Sequence, residues 1–219
     1  MSNLLPSSLA MVPFVSVDNM MRLVNNIGAP KMMSEICDYI EADFKRWPEF
    51  DKTPRVAAHS EEGVIELMPT SDGEYYGFKY VNGHPANMAR GFQTVTAFGV
   101  LANVVNGYPV LLSEMTILTA LRTAATSALA AKYLAPKGAR VMGMIGNGAQ
   151  CEFQALAFNE IIGIETIRLY DVDMQATKKA AKNLRNTSLN IVICNSAEEA
   201  ISGVDIITTC TADKQNATV

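Results

Sequence analysis

Short apolar segments alternate with helical segments along the chain from residue 140 onward. The apolar segments are RVMGMIG, ETIRLYD, NIVIC and VDIITTC, and the helical segments between them are AQCEFQALAFNEII, MQATKKAAKNLR and SAEEAI. Strands that are separated by helices of about ten residues are typical of right-handed βαβ units, in which neighbouring strands are parallel. The pattern therefore predicts an α/β fold with a parallel sheet in this part of the chain.

The preceding residues have a mixed pattern. Apolar residues recur with helical spacing near 32–44, and apolar and polar residues alternate near 64–68 and 76–81. These patterns predict a helix followed by half-buried strands. Gly and Pro interrupt the region often, which indicates frequent turns.

A composition change marks the predicted domain boundary. The segment 113–135 is rich in Ala, Leu and Thr, and it predicts a long helix with Ser113 as its N-cap. We therefore predict an N-terminal α+β domain over residues 1–120. A Rossmann-type parallel sheet is predicted over residues 121–219, with the later strands of that sheet missing.

Charge and hydropathy argue against two classes of partner. The 219 residues include 18 Lys and Arg against 22 Asp and Glu, which gives a formal net charge of −4. No cluster of basic residues follows the spacing that would track a phosphate backbone. No apolar run reaches the roughly 18 residues of a membrane helix, and the N-terminal residues lack the features of a secretory signal. We expect neither nucleic acid nor a membrane as a partner.

Cysteine and histidine usage indicates a reducing compartment and no metal. None of the four cysteines lies in a C-x-x-C pair, which favours the cytoplasm. His59 and His84 are the only histidines, and their separation does not suggest a zinc site. We expect a cytoplasmic protein without a metal cofactor.

A glycine-rich turn is the first chemical motif. Gly146 and Gly148 follow the predicted strand 141–145 and precede a helix. The first glycine of such a turn allows a tight bend, and the second lets the backbone approach a pyrophosphate. The third glycine position of G-x-G-x-x-G holds Cys151, which weakens the motif. A purely structural strand-to-helix turn is the alternative.

Asp171 ends the second predicted strand of the alternating region. An acidic side chain at that place accepts hydrogen bonds from the ribose hydroxyls of a dinucleotide and repels a 2′-phosphate. Together with the glycines, Asp171 therefore predicts NAD rather than NADP. By itself it is also typical of a solvated turn residue.

Five polar residues stand out in the N-terminal region. They are Arg55, Glu66, Lys79, His84 and Arg90. Arginine presents a fork of donors that matches a carboxylate, and lysine is a compact cation that can take part in acid–base steps. Each residue taken alone is more often a surface charge than a ligand.

Longer strings resemble a known family. The chain contains PRVAAHSEEGVIELMP from Pro54, FKYVNGHPAN from Phe78, GYPVLLSEMTILTALRTAATS from Gly107, IGNGAQCEFQALAF and GVDIITTCTADK. These strings are similar to those of the ornithine cyclodeaminase/mu-crystallin family, and FKYVNGHPAN and SEEGVIELMP resemble its cyclodeaminase branch. The resemblance covers about residues 15–219.

The resemblance implies an NAD-dependent activity that converts L-ornithine to L-proline and ammonia. The cofactor would be recycled through an imine intermediate, and the protein would be a homodimer with a substrate-binding and dimerisation domain at its N-terminus. The residues that match the substrate site of the family are Arg55, Lys79 and Arg122, with Glu66 near the δ-amino end. Lys79 and Glu66 are the expected catalytic residues. The positions that match the cofactor site are Thr94, Arg122, Thr123, Gly146, Gly148, Ala149, Gln150, Asp171 and Thr211.

One element of the family pattern is not present in the 219 residues. The general base of the family is an aspartate in a downstream G-G-D loop, so we expect it beyond Val219 and expect the chain as given to be inactive. A ketimine reductase or an amino acid dehydrogenase of the same family is an alternative, as is a non-catalytic NAD-binding module.

Overall fold

The computed structural model describes residues 11–211. Thr211 is therefore the only residue of the T-A-D-K string within the described part, and most of the segment tested for a secretory signal lies outside it. The chain forms two compact units, Met1–Leu23 with Arg46–Thr119 and Val24–Lys45 with Ala120–Val219. The break after Thr119 is close to the predicted boundary, whereas residues 24–45 group with the second unit. The roles assigned to the two predicted domains stay predictions.

Within the described residues, the first part of the chain forms six strands and two α-helices. These elements are β1 (Phe14–Val15), α1 (Val17–Ile27), α2 (Ala29–Lys45), β2 (Val56–His59), β3 (Val64–Ser71), β4 (Tyr75–Gly83), β5 (Val95–Asn103) and β6 (Pro109–Glu114). The second part contains α3 (Thr116–Leu134), β7 (Val141–Ile145), α4 (Cys151–Ala157), β8 (Thr166–Tyr170), α5 (Met174–Leu184), β9 (Asn190–Ile193), α6 (Ala197–Ile201) and β10 (Ile206–Thr209). A single π-helical turn, Phe158–Ile162, continues α4.

The sheet of the first unit is antiparallel except at one edge. Its strand order is β1-β6-β5-β4-β3-β2, and only β1 runs parallel to its neighbour. The two faces differ in character because side chains alternate between them. One face includes the buried Val81 and Ala97, whereas the other includes the exposed Leu67 and Phe98. The alternation predicted near residues 64–68 and 76–81 is confirmed as β3 and β4.

The sheet of the second unit is parallel, as predicted. Its strand order is β10-β7-β8-β9, and every neighbouring pair is parallel. The chain runs from β7 to β8 and β9 on one side and returns with β10 on the other side of β7. The strand order therefore reverses at β7, and such a switch point at the carboxyl edge is where α/β sheets bind ligands. The α/β fold class inferred from the sequence is confirmed.

Helix α2 belongs to the second unit because of its partners. It packs against α4 and the π-helical turn. Its Glu41 carboxylate accepts hydrogen bonds from Lys132 Nζ at 2.7 Å and from the Tyr133 hydroxyl at 2.6 Å, both on α3. The ammonium of Lys132, together with Lys45 and Tyr133, lowers the pKa of Glu41 to about 2. The periodicity of residues 32–44 predicted the helix correctly but not what it packs against.

Helix α3 begins later than its sequence suggested. The Ser113 hydroxyl donates to the carbonyl of Glu114, so Ser113 is not the cap that was predicted. The carboxylate of the buried Glu114 accepts instead from the N–H groups of Thr116, at 2.9 Å, and Ile117, at 3.3 Å. Glu114 therefore satisfies two of the N–H groups that a helix start leaves unpaired.

Replacing Glu114 tests this assignment. Glu114→Ala removes the acceptor of two helix-start N–H groups, so we expect the free energy of unfolding to fall by about 1–3 kcal/mol. Chemical denaturation of the full-length protein measures the change. Ser113→Ala is the control and should have the smaller effect. A larger loss for Ser113→Ala would restore the serine as the cap.

Candidate functional site

The glycine turn lies at the switch point of the parallel sheet. Gly146 follows β7 directly, has φ +89°, and donates its N–H to the Tyr170 carbonyl at 2.9 Å. A Cβ placed on Gly146 would lie 2.9 Å from the backbone of Cys210 and Thr211. Both the dihedral angle and the close backbone approach therefore require glycine.

Gly148 has a different environment. A Cβ at Gly148 would meet no atom within 4 Å, and the residue is exposed. Ala149 is exposed too, while Gln150 is partly buried and accepts the first helical bond of α4 from Gln154. The surface over Gly148 is thus open, as a second glycine that admits a pyrophosphate requires.

Asp171 is held beside this turn. It follows β8, and its carboxylate accepts from the Asn147 N–H at 2.6 Å and from the Asp173 N–H at 2.8 Å. A carboxylate has about four acceptor positions, so two backbone bonds leave capacity for ligand hydroxyls. The pairing of β7 with β8 brings the predicted turn and the predicted aspartate together.

Cys151 fills the third position of the glycine motif without adding charge. The side chain is fully buried, and burial raises the pKa of its thiol to about 12. The thiol is therefore neutral at physiological pH. Asn147 Nδ2 lies 3.7 Å from the sulfur and donates to it. A small neutral side chain here is compatible with a bound pyrophosphate.

The other predicted cofactor residues are distributed over both units. Thr211 is next to the turn, because its N–H nitrogen is one of the atoms nearest Gly146. Arg122 and Thr123 are on α3 in the second unit, with Arg122 exposed and Thr123 partly buried. Thr94 is in the first unit, where its carbonyl accepts from the His84 N–H at 2.9 Å.

The substrate residues predicted in the N-terminal region include an ion pair. Arg55 Nη1 lies 3.0 Å from Glu66 Oε1. The Arg55 side chain is 62% exposed and that of Glu66 is 17% exposed, so the pair is open to solvent on the arginine side. Arg55 immediately precedes β2, and the antiparallel pairing of β2 with β3 brings it to Glu66.

Lys79 lies on the same sheet face as Glu66. Glu66 is opposite Val81, and Met68 is opposite Lys79, so the two residues are diagonal neighbours on adjacent strands. Lys79 Nζ also donates to Thr119 Oγ1 at 3.4 Å. The first unit thus presents two cations and one carboxylate on one region of its surface.

Sequence patterns did not identify three polar residues that contact the predicted site. Thr119 contacts Lys79, and the buried Asn147 and Thr177 hydrogen-bond to each other next to the glycine turn. Asn147 is the variable position of G-x-G, for which the motif specifies no side chain. Only tertiary contacts distinguish these residues from other polar ones.

Two negative findings hold for residues 11–211. No group of three or more His, Cys, Asp and Glu side chains is arranged to hold a metal ion. Within the same residues, no helix combines the length and apolar character that crossing a membrane would need.

Known proteins that are similar to this chain include two cyclodeaminases and an alanine dehydrogenase. The chain is 67% identical over 212 residues to an ornithine cyclodeaminase of Brucella suis biovar 1 (strain 1330), over 97% of this chain and 59% of that protein. A lysine cyclodeaminase, whose solved structure concerns recognition of L-lysine, L-ornithine and L-2,4-diamino butyric acid, aligns with a TM-score of 0.86 and 26% identity. That match covers 95% of this chain and 63% of the other. An archaeal alanine dehydrogenase dimer with bound NAD aligns with a TM-score of 0.77 and 30% identity, over 91% and 60% of the two chains.

A family model extends this similarity over most of the chain. The model of the ornithine cyclodeaminase/mu-crystallin family matches residues 17–219. The chain spans 59% of the length of the Brucella protein. The matched range includes every string that resembled the family, so the resemblance inferred from the sequence is confirmed. The chain belongs to the ornithine cyclodeaminase/mu-crystallin family.

Proposed function

We propose that the full-length protein is an ornithine cyclodeaminase, which converts L-ornithine to L-proline and ammonia with recycled NAD. The observation that carries this proposal is the grouping of Arg55, Glu66 and Lys79 in the first unit. The α-carboxylate of an amino acid requires cations, and a side-chain ammonium requires a carboxylate. Two cations with one carboxylate therefore match the charges of a diamino acid. The 67% identity to the Brucella enzyme supports the same substrate.

The second unit fits a dinucleotide. Its open surface over Gly148 and the fixed Asp171 carboxylate match the needs of a pyrophosphate and a ribose. When bound, NAD supplies a hydride acceptor for Cα of ornithine and a hydride donor for the cyclic imine that precedes proline. We assign to this site Gly146, Gly148, Ala149, Gln150, Asp171 and Thr211, with Thr94, Arg122 and Thr123. Asp171 would disfavour a 2′-phosphate, so we propose NAD rather than NADP.

The residues of the first unit would hold and orient the substrate. Arg55 and Lys79 would neutralise the α-carboxylate, and Glu66 would accept a hydrogen bond from the side-chain nitrogen of the substrate. Arg122 of the second unit is proposed as a further carboxylate ligand because the resemblance implies it. Once Cα has lost its hydride and become an α-imine, the δ-nitrogen would add to Cα as the free amine. The bond from Cα to the α-nitrogen then breaks, and the α-nitrogen leaves as ammonia with the proton that the δ-nitrogen gives up. Bringing a flexible chain into this geometry is a proximity problem that fixed charges address. We propose that the general base lies beyond Val219, as the resemblance implies.

We propose further that the protein is a homodimer and that the exposed face of the first sheet is its interface. The apolar side chains of this face are Val56, Ile65, Leu67, Tyr80 and Phe98. Tyr80 stacks on Phe98 with ring centroids 5.0 Å apart, and Phe98 is half exposed. Contiguous apolar surface of this kind is typical of an interaction site. The dimeric archaeal relative supports a second copy of the chain as the partner.

The proposed compartment is the cytoplasm. The four cysteines are free thiols, and Cys37, Cys151 and Cys194 are buried. Free thiols are typical of proteins in a reducing environment, which supports the proposal.

An ammonia and proline assay tests the proposed activity. Full-length protein incubated with excess L-ornithine and trace NAD should release equal amounts of ammonia and proline over many turnovers per NAD. Stoichiometric formation of NADH would instead indicate an amino acid dehydrogenase. Reduction of a cyclic imine without activity on ornithine would indicate a ketimine reductase, and NAD binding without turnover would indicate a non-catalytic module.

A further inference from the structure

Asn147 is a fully buried polar residue between the two glycines of the turn. Its Oδ1 accepts from the Thr177 hydroxyl at 2.8 Å, and its N–H donates to Asp171 Oδ2 at 2.6 Å. The side chain thus contacts α5, and the backbone contacts the end of β8. A buried amide that loses its partner carries the full cost of desolvation, so these contacts restrict where the turn can lie.

Thr177 anchors the other end of this connection. It is fully buried on α5, and its N–H donates to the Asp173 carbonyl at 3.3 Å. Asp173 also caps α5 by accepting from the Gln175 N–H, and its own N–H donates to Asp171 Oδ1. These hydrogen bonds connect the turn to α5, connect α5 through Asp173 to Asp171, and connect Asp171 back to the turn.

We infer that Asn147 and Thr177 are positioning residues for the dinucleotide, because their hydrogen bond fixes the glycine turn relative to the Asp171 carboxylate. The inference rests on the proposed NAD site and adds two residues that the sequence patterns did not identify. In this arrangement the position of Gly148 relative to Asp171 is fixed, and both residues would face the dinucleotide. A turn released from α5 would carry its Asn147 N–H away from Asp171 and leave one carboxylate oxygen without that donor.

Loss of this bond has a specific consequence for cofactor selection. A fixed Asp171 favours the ribose hydroxyls of NAD and opposes the 2′-phosphate of NADP. A displaced Asp171 does both less well, so NAD affinity should fall while NADP affinity falls less or rises. A residue that served only the stability of the second unit would weaken the binding of both cofactors in proportion.

Thr177→Val in the full-length protein tests the inference, because valine keeps the shape and removes the hydroxyl. The Kd values of NAD and NADP are measured by fluorescence titration, beside thermal unfolding. We expect the NAD Kd to rise about tenfold or more. The ratio of the NAD Kd to the NADP Kd should increase, which means a weaker preference for NAD. Thr177→Ser retains the hydroxyl and should restore both values. Thr187→Val is the matched control, since Thr187 donates to the Leu184 carbonyl beyond the other end of α5 and should leave the ratio unchanged.

Each outcome bears on the inference. An unchanged ratio in Thr177→Val would overturn it, as would the same shift in Thr187→Val. If Thr177→Val does not fold, Thr177→Ala takes its place because alanine favours the helix. Failure of both to fold would indicate a structural role and reject positioning. Wild-type protein that binds no NAD would overturn the proposed function together with the inference.

Discussion

Gly148→Ala is expected to leave the protein folded and to weaken NAD binding by about 100-fold. The added methyl meets no protein atom within 4 Å, and the φ angle of Gly148 is not in the left-handed region, so the fold has no reason to change. The methyl does occupy the open surface that we assign to the pyrophosphate. NAD titration and chemical denaturation of the same preparation measure the two effects separately.

Gly146→Ala is the comparison variant, because it should reduce the stability of the fold as well as NAD binding. Its φ of +89° and the 2.9 Å approach to the backbone of Cys210 and Thr211 strain any larger residue. We expect this variant to lose about 1–3 kcal/mol of unfolding free energy as well as NAD binding. Wild-type NAD affinity in Gly148→Ala would show that the pyrophosphate does not approach the backbone there. A stable Gly146→Ala would contradict the tight packing at the turn.

The fold of the second unit could be predicted because its signals are local. Each strand from β7 to β10 is a short apolar run between helical segments, and β7, β8 and β9 are neighbours in the sheet as they are in the sequence. The return of β10 to the other side of β7 is not visible in that local pattern. The partner of α2 could not be predicted in this way. Periodicity identifies the apolar side of residues 29–45 but not the surface that covers it, and that surface is formed by α4 and the π-helical turn far along the chain.

The residues of the candidate site differ in the same way, because some are visible in local sequence patterns and others depend on tertiary contacts. Gly146, Gly148 and Asp171 were identified because strand ends and glycine spacing are visible in the sequence. Thr119 and Thr177 were not identified, since no sequence pattern shows which residue a threonine on a helix will hydrogen-bond. The start of α3 was misplaced because Ser113 is the better cap by residue preference, whereas the buried position of Glu114 at the end of β6 directs its carboxylate to the helix N–H groups.

Lys79→Met is expected to lower kcat/KM for L-ornithine by about 100-fold or more, because it removes one of the two cations proposed to bind the α-carboxylate in the first unit. Methionine keeps the length of the lysine stem, so the packing of β4 should persist. Lys79 is partly buried and lies on the face that carries Glu66, where a lost charge is not readily replaced by solvent. Steady-state kinetics on the full-length protein, with proline formation as the signal, measure the loss.

Two further variants distinguish the effect of the Lys79 charge on kcat/KM from the effects of its surroundings. Lys52→Met removes an exposed lysine of the same unit and should leave kcat/KM within about threefold of wild type, since surface ion contacts contribute little. Thr119→Val removes only the hydroxyl that accepts from Lys79 and should give an intermediate loss, expressed mainly in KM. Wild-type kcat/KM in Lys79→Met, with NAD binding intact, would exclude Lys79 from the substrate site and leave Arg55 and Arg122 as the proposed carboxylate ligands. Equal losses of kcat/KM in Lys52→Met and Lys79→Met would instead show that the net charge of the unit matters and that the position of the Lys79 cation does not.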